Sequence, residues 1–245
     1  MTSRWHVAWW AVLGAIAAAF AAPFASLVVK GLGEAGATWS AVTDDRVLGP
    51  LWRTVLLAAI VTVSATVLGV GMAWCCARTD VFGRRVLGVA AVLPLVIPSF
   101  VAANAFVSAF SPGGLLEQAL GWTGLPEVRG LRGAVIVLTL LSYPYVFLPV
   151  LARLSWLPPS LEESSRLLGV PASGTFRRVV LPQIGPAIAS GSVLVALYVV
   201  SDFGAVQFVG YDTLTRTIFA AKLDPVRSVA MSLVLAALAF AVTAA

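Results

Sequence analysis

From Thr54 to Ala77 the sequence carries no charged side chain. A helix needs about 20 apolar residues to cross a bilayer, and this run is long enough. Hydrocarbon offers no water to a backbone N–H or C=O, so a segment in it must satisfy its own hydrogen bonds, which a helix does. Five further apolar runs recur along the chain, at roughly Val7–Val29, Val86–Phe110, Gly133–Ala152, Ile184–Ser201 and Ser228–Ala245. The last is only just long enough to span. The chain is 60% hydrophobic and 11% charged, where a soluble domain is about a quarter charged. These runs predict an all-α membrane protein with six transmembrane helices.

Several runs carry local signals. Ala65, Gly69 and Ala73 recur every four residues on one face of the second run. Small residues at that spacing let helices approach closely in lipid. Pro94 and Pro98 in the third run, and Pro144 and Pro149 in the fourth, break the backbone ladder and predict kinked helices. Kinks around a pathway and kinks without one fit these prolines equally. Pro23 should kink the first run. Arg4 and His6 precede that run, and Ala19-Phe20-Ala21 resembles a signal-peptidase site. The run exceeds the length of a signal core, about 7–15 residues, and reads as a span. Lys30 to Arg53 reads as a loop with at most a short surface helix. Arg78 to Arg85 is a tight basic turn, and a Gly/Pro-containing loop with Glu117, Glu127, Arg129 and Arg132 joins the third and fourth runs. Asp202 to Asp224 is amphipathic, with Phe203, Phe208, Ile218 and Phe219 among Arg216 and Lys222, and should lie at the interface or fold back as a short helix.

Enzyme chemistry is missing from the sequence. No Gly-Lys pair exists for a phosphate-binding loop, because Lys30 follows Val29 and Lys222 follows Ala221. His6 is the single histidine, which rules out an HExxH zinc site; no cofactor or metal is implied. Cys75 and Cys76 are adjacent, point apart on a helix and imply no disulfide. Glu162 and Glu163 lie about 100° apart on a helix and make a poor acid/base pair. A net charge of +5 would point a soluble chain to nucleic acid; here it fits loops that face anionic lipid and a protein partner, with no nucleic acid. Asn104, Ser142, Tyr143 and Asp202 remain as polar groups in or near the spans, and Asn104, Tyr143 and Asp202 are the candidates for a substrate pathway. Asp202 sits at a helix end, where water can reach it.

The polar interval from Ser160 to Pro186 is itself patterned, SLEESSRLLGVPASGTFRRVVLPQIGP. Ser160 with Glu163 reads as a capping box that starts a helix. Leu161, Leu167 and Leu168 give it an apolar side, Gly169 and Pro171 end it, and Ser173 can cap a second helix. The stretch resembles the EAA loop of ABC-transporter permease subunits. That family's pattern is Glu-Ala-Ala, a Gly six residues after the Glu, then Ile-x-Leu-Pro. Glu163, Ser164 and Ser165 stand at the first three positions, Gly169 at the glycine, and Val179, Leu181 and Pro182 at the close. Ser-Ser for Ala-Ala and Val for Ile are the departures. Ser201 to Phe219 resembles the corresponding stretch of ferric-iron-type permeases.

The resemblance implies a type I ABC importer permease fold, covering about residues 54–245. Residues 1–53 would supply the first span and outer loop, and residues 153–183 the coupling loop. It implies partners: cytoplasmic ABC ATPase subunits, a periplasmic or extracellular solute-binding protein, a second permease half or subunit, and membrane lipid. Glu162, Glu163, Ser164, Ser165, Leu167, Leu168, Gly169, Val179, Leu181 and Pro182 would form the ATPase-coupling loop, with Leu167 and Leu168 as apolar knobs and Glu163 fixing the helix start. Substrate import is expected, iron(III) by resemblance, with thiamine, polyamine or another small solute as alternatives. ATP hydrolysis would belong to the partner. A membrane enzyme or a non-transporting anchor is the competing class, and the former would need clustered titratable groups that the spans lack. With the N-terminus inside, eight basic residues fall on either side, so the positive-inside rule is silent; the resemblance places the loop, and hence the N-terminus, in the cytoplasm of a multi-pass inner-membrane protein. The resembling iron permeases fuse two halves in one chain, so the sequence reads as the N-terminal half, or a truncation, of a longer one.

Overall fold

The computed structural model describes residues 2–121, 127–221 and 223–244. Lys222, and residues 122–126 of the loop between the third and fourth runs, lie outside them. Among the described residues the secondary structure is helical: α1 (Thr2–Gly33), α2 (Ala35–Val42), α3 (Asp45–Arg78), α4 (Arg84–Ala90), a 3-10 turn (Leu93–Val96), α5 (Ser99–Phe110), α6 (Leu115–Leu120), α7 (Gly130–Ser142), α8 (Pro144–Trp156), α9 (Pro159–Leu167), α10 (Ala172–Thr175), a π-turn (Phe176–Val180), α11 (Leu181–Ser201), α12 (Gly204–Val209), α13 (Leu214–Ala220) and α14 (Pro225–Ala244). Five helical stretches among the described residues are long and apolar enough to cross a membrane, and a bent pair makes a sixth. The expected all-α architecture and the six apolar segments are therefore present.

The centre of the bundle is α3, α8 and α11, packed on one another. Leu57, Val61, Val146, Phe147, Val150, Leu154, Ile184 and Val195 are fully buried among them. Ala65, Gly69 and Ala73 are buried on α3, as their spacing predicts. A Cβ at Gly69 would stand 2.8 Å from the Tyr143 carbonyl oxygen and 2.9 Å from Val146 Cβ. A Cβ at Gly191 of α11 would stand 2.7 Å from Val146 Cα. Two glycines therefore let α3 and α11 close on the same turn of α8, and a hydroxyl pair, Thr66 Oγ1 to Ser192 Oγ at 2.8 Å, joins α3 to α11.

Several boundaries differ from the sequence reading. Lys30–Arg53 is mainly helix, since α1 runs to Gly33, α2 follows, and α3 begins at Asp45, where Asp44 Oδ1 accepts from the Arg46 N–H at 2.8 Å. An Asp side chain at a helix start is a strong cap, and Pro50 inside α3 removes one backbone donor without ending the helix. The third run does not kink gently. It breaks, with Arg84–Val96 and Ser99–Phe110 at 100° to each other. Pro94 and Pro98 each remove a backbone donor at the break, and Pro98 also pushes Ile97 out of the helical region, to ψ 119°. The fourth run is two helices joined at Tyr143, with Pro144 opening the second and Pro149 inside it. The fifth run starts not at Ile184 but at Ala172, so the span and the second loop helix are one continuous rod, Ala172–Ser201. The Asp202–Asp224 segment folds back into the bundle: α12 packs on α5 and α7, with Ala205, Val206 and Val209 buried. Thr54 Oγ1 accepts from the Leu214 N–H at 2.9 Å and ties α13 to α3.

Replacing Gly69 by Val should destabilise the protein by about 1–3 kcal/mol, the usual cost of overpacking, because the new side chain meets backbone on α8. Gly71→Val, where no atom lies within 4 Å of the added Cβ, should be far milder. Thermal unfolding in detergent of the two variants beside the parent checks the contrast; equal midpoints would show that the α3–α8 approach is not tight.

Candidate functional site

The loop between α8 and α11 is built from the end of one span to the start of the next. Trp156 closes α8, and Leu157 and Pro158 are extended. Pro159 then stands in the first turn of α9, where its missing N–H costs nothing and its fixed φ suits the helix. Helix α9 therefore starts one residue before Ser160, with Pro158 at the cap position and no side-chain capping bond. The expected Ser160–Glu163 capping box does not form, and Glu163 does not fix the helix start; proline geometry does.

Glu162 and Ser165 share the buried side of α9, each 8% exposed. Arg78, the last residue of α3, donates from Nε to Glu162 Oε1 at 2.7 Å and from Nη2 to the Leu157 carbonyl at 3.0 Å. The side chains of this pair are only 16% and 10% exposed. Ser165 Oγ lies 3.0 Å from Thr175 Oγ1 of α10, which closes the loop on itself. Glu163 and Ser164 are exposed, and Glu163 forms no ion pair among the described residues. With Arg78, Asp80, Arg84 and Arg166, the two glutamates line a polar crevice of about 270 Å³.

The corner at Gly169 has φ +77°, the left-handed region that glycine reaches without strain. The Gly169 N–H donates to the Arg166 carbonyl at 2.9 Å and the Val170 N–H to the Ser165 carbonyl at 3.2 Å. This is a Schellman ending, which satisfies the last carbonyls of α9. Leu167 and Leu168, just before the corner, are 88% and 84% exposed. The second helix begins at Ala172 with Pro171 at its cap position, so Ser173 is not the cap. Val179 is half-buried in the π-turn, and Leu181 and Pro182 are exposed at the start of α11. Phe176 meets Trp74 of α3 edge-on, ring centres 5.1 Å apart.

The three pathway candidates do not form one site. Asn104 is exposed on α5 and makes no side-chain hydrogen bond among the described residues. Tyr143 is buried at the joint of α7 and α8, where its carbonyl faces Gly69. Asp202 is not hydrated at a helix end as expected; it is 8% exposed. Its Oδ1 accepts from the Ala205 N–H at 2.9 Å and the Val206 N–H at 3.4 Å, the first turn of α12, and its carbonyl accepts from Thr215 Oγ1 at 2.7 Å. The Ser99 side chain, at the start of α5, is a further hydrogen-bond partner of this carboxylate. The aspartate thus holds the fold-back segment against the broken third span. The break itself lines a cavity of about 290 Å³ with Ser99, Tyr145 and Tyr198. Sequence reasoning missed these three, and it missed Arg78 as the partner of Glu162. The one available signal was an arginine at the very end of an uncharged run.

This helical architecture, among the described residues five long apolar helices with a broken sixth and a helix-corner-helix loop before the fifth span, is that of a multi-pass membrane protein. The chain belongs to the family of binding-protein-dependent transport system inner membrane components, whose model matches residues 65–245. It is 36% identical over 200 residues to an Fe(3+)-transport system permease protein, FbpB 2, of Haemophilus influenzae, covering 80% of this chain and 36% of that one. It is 31% identical to the sulfate transport system permease protein CysT of Salmonella typhimurium, over 73% of this chain and 65% of that one. A probable molybdenum ABC transporter permease protein of Haloferax volcanii is 30% identical, over 69% and 62%. The chain therefore spans about a third of the iron relative and just under two thirds of the other two. Among solved structures, it resembles a chain of a bacterial alginate ABC transporter in complex with alginate pentasaccharide-bound periplasmic protein, with a TM-score of 0.72 at 17% identity over 99% of this chain and 93% of that one. A chain of the MetNI methionine ABC transporter in an inward-facing conformation gives 0.65 over 80% and 91%. The fold is that of type I ABC importer permeases.

Asp202→Ala removes the acceptor for two buried N–H groups and should cost about 1–2 kcal/mol, the range for a lost helix cap. Asp202→Asn keeps an oxygen there and should cost less. Unfolding midpoints that rank the two variants the other way would refute the capping role.

Proposed function

We propose that this chain forms the membrane pathway of an ATP-driven importer and that residues 153–183 are its coupling loop, docking on a separate ABC ATPase subunit. The observation that carries the reading is the pair Leu167 and Leu168. Both stand fully out from a short polar helix, at a rigid corner rather than along a lipid-facing span. Apolar side chains exposed on a helix end mark a docking surface more than a solvated loop. Ser164 and Glu163 flank them on the exposed side, and Glu163 is free to meet a basic group of the ATPase. Glu162, Ser165, Val179, Leu181, Pro182 and Gly169 shape and support the loop. ATP hydrolysis takes place on the partner, consistent with a chain that holds no phosphate-binding loop.

In this reading residues 54–245 are the permease core and residues 1–53 add a peripheral span. Helix α1 is exposed along its apolar length and touches the bundle at α14. The N-terminus lies in the cytoplasm: four crossings separate it from the loop, with the bent pair counted as one, so both face the same side. A periplasmic or extracellular solute-binding protein delivers the substrate and a second permease half or subunit completes the pathway, to which Asn104, Tyr143 and Asp202 contribute from separate positions. Iron(III) is the proposed substrate, supported by the 36% identity to an Fe(3+)-transport permease protein. Sulfate is the second reading, supported by the 31% identity to CysT.

Affinity purification of the chain from its native membrane in mild detergent should bring down an ABC ATPase. Leu167→Asp with Leu168→Asp should lower its recovery about tenfold or more, since each leucine removes about 1.5–3 kcal/mol of burial. Gly169→Val, which forces a β-branched residue to positive φ, should act in the same direction while membrane insertion persists. Recovery of an ATPase at equal yield from all three proteins would defeat the coupling reading. Uptake of labelled iron(III) or sulfate by cells with and without the gene decides between the substrates.

A further inference from the structure

A docked helix moves the bundle only through what holds it. The backbone of α9 packs on α10 and on the π-turn, and the Ser165–Thr175 bond joins it there too, which ties α9 to the start of the Ala172–Ser201 rod. A second route, to α3, is a side-chain bridge, Arg78 to Glu162. Arg78 is the last residue of α3, and Trp74, one turn earlier on the same face, meets Phe176 of the π-turn. Helix α3 is in turn locked to α8 at Gly69 and hydrogen-bonded to α11 at Thr66. A displacement that reaches Arg78 therefore reaches the centre of the bundle.

We propose that Arg78 is a positioning residue that latches the coupling helix to α3, so that displacement of α9 by the docked ATPase is carried into α3 as well as along the Ala172–Ser201 rod. This rests on the reading of α9 as a coupling element. Three features fit a latch. The pair is shielded, so the charges act across little water. The planar guanidinium uses two separate donors, one on Glu162 and one on the Leu157 carbonyl, which fixes both the start of α9 and its orientation. The docking leucines lie on a different side of α9 and are left exposed.

The test uses the whole transporter, purified with its ATPase and placed in nanodiscs. Cys75 and Cys76 are replaced by serine, and nitroxide labels are introduced at Ser160→Cys on α9 and Val67→Cys on α3, both exposed positions. The α9–α3 distance is measured with and without MgATP and vanadate, together with the ATPase retained per permease. With Arg78 intact the two labels should move as a unit, and the distance should hold. With Arg78→Ala the ATPase should stay bound, while the nucleotide changes the distance by about 2 Å or more, the scale of helix shifts in switching proteins. The exchange of Arg78→Glu with Glu162→Arg should restore the fixed distance, which separates a latch from a general packing defect. An unchanged distance in Arg78→Ala with ATPase bound overturns the latch alone. Loss of the ATPase from Arg78→Ala overturns it too, because the residue would then build the docking surface. An ATPase missing from the parent complex overturns the coupling reading itself.

Discussion

The bundle depends on how closely α3 and α11 approach α8. In lipid the hydrophobic effect does not draw helices together, so association rests on packing and on buried hydrogen bonds. Val146 is where both α3 and α11 meet α8. Gly69 and Gly191 each approach it with space for a hydrogen and none for a methyl group. The Thr66–Ser192 hydroxyl bond then fixes α3 and α11 against each other. Helices outside this trio are held more loosely, α1 most of all.

The rest of the structure is arranged around irregular backbone that the core protects. Pro94 and Pro98 interrupt the third span, and non-helical backbone at membrane depth persists only where protein or a water-lined cavity satisfies it. Here Asp202 and the fold-back helix α12 supply part of that protection. Gly204 sits so close to Ser99 that a Cβ would stand 2.6 Å from its hydroxyl oxygen. The broken span, the buried carboxylate and the fold-back segment are one unit, and the cavity beside Tyr145 and Tyr198 opens at its edge.

At the other end of α3, the loop before α11 combines rigidity with exposure. Its buried side is polar and fully engaged through Glu162 and Ser165, while its apolar residues point outward. That inversion of the usual pattern is costly for an isolated protein and reasonable for a surface that meets another subunit. The continuous helix Ala172–Ser201 makes the loop part of a span, so the loop cannot tilt without moving α11.

The apolar runs determined the helical class, the number of candidate spans and the packing face at Ala65, Gly69 and Ala73, because length and spacing alone decide what a bilayer accepts. The spacing from Glu163 through Gly169 to Pro182 determined the helix-corner-helix loop, since φ +77° at the corner needs a glycine. Helix starts were misread where prolines and backbone caps, not Ser160 or Ser173, set them. What the sequence did not hold were long-range pairings: Arg78 with Glu162, Asp202 with the first turn of α12, and Gly191 against the same valine as Gly69. Each joins residues far apart in the chain whose local patterns carry no mark of one another. Only the packed bundle could decide them, because burial removes water and leaves each polar group the single partner that the fold brings within reach.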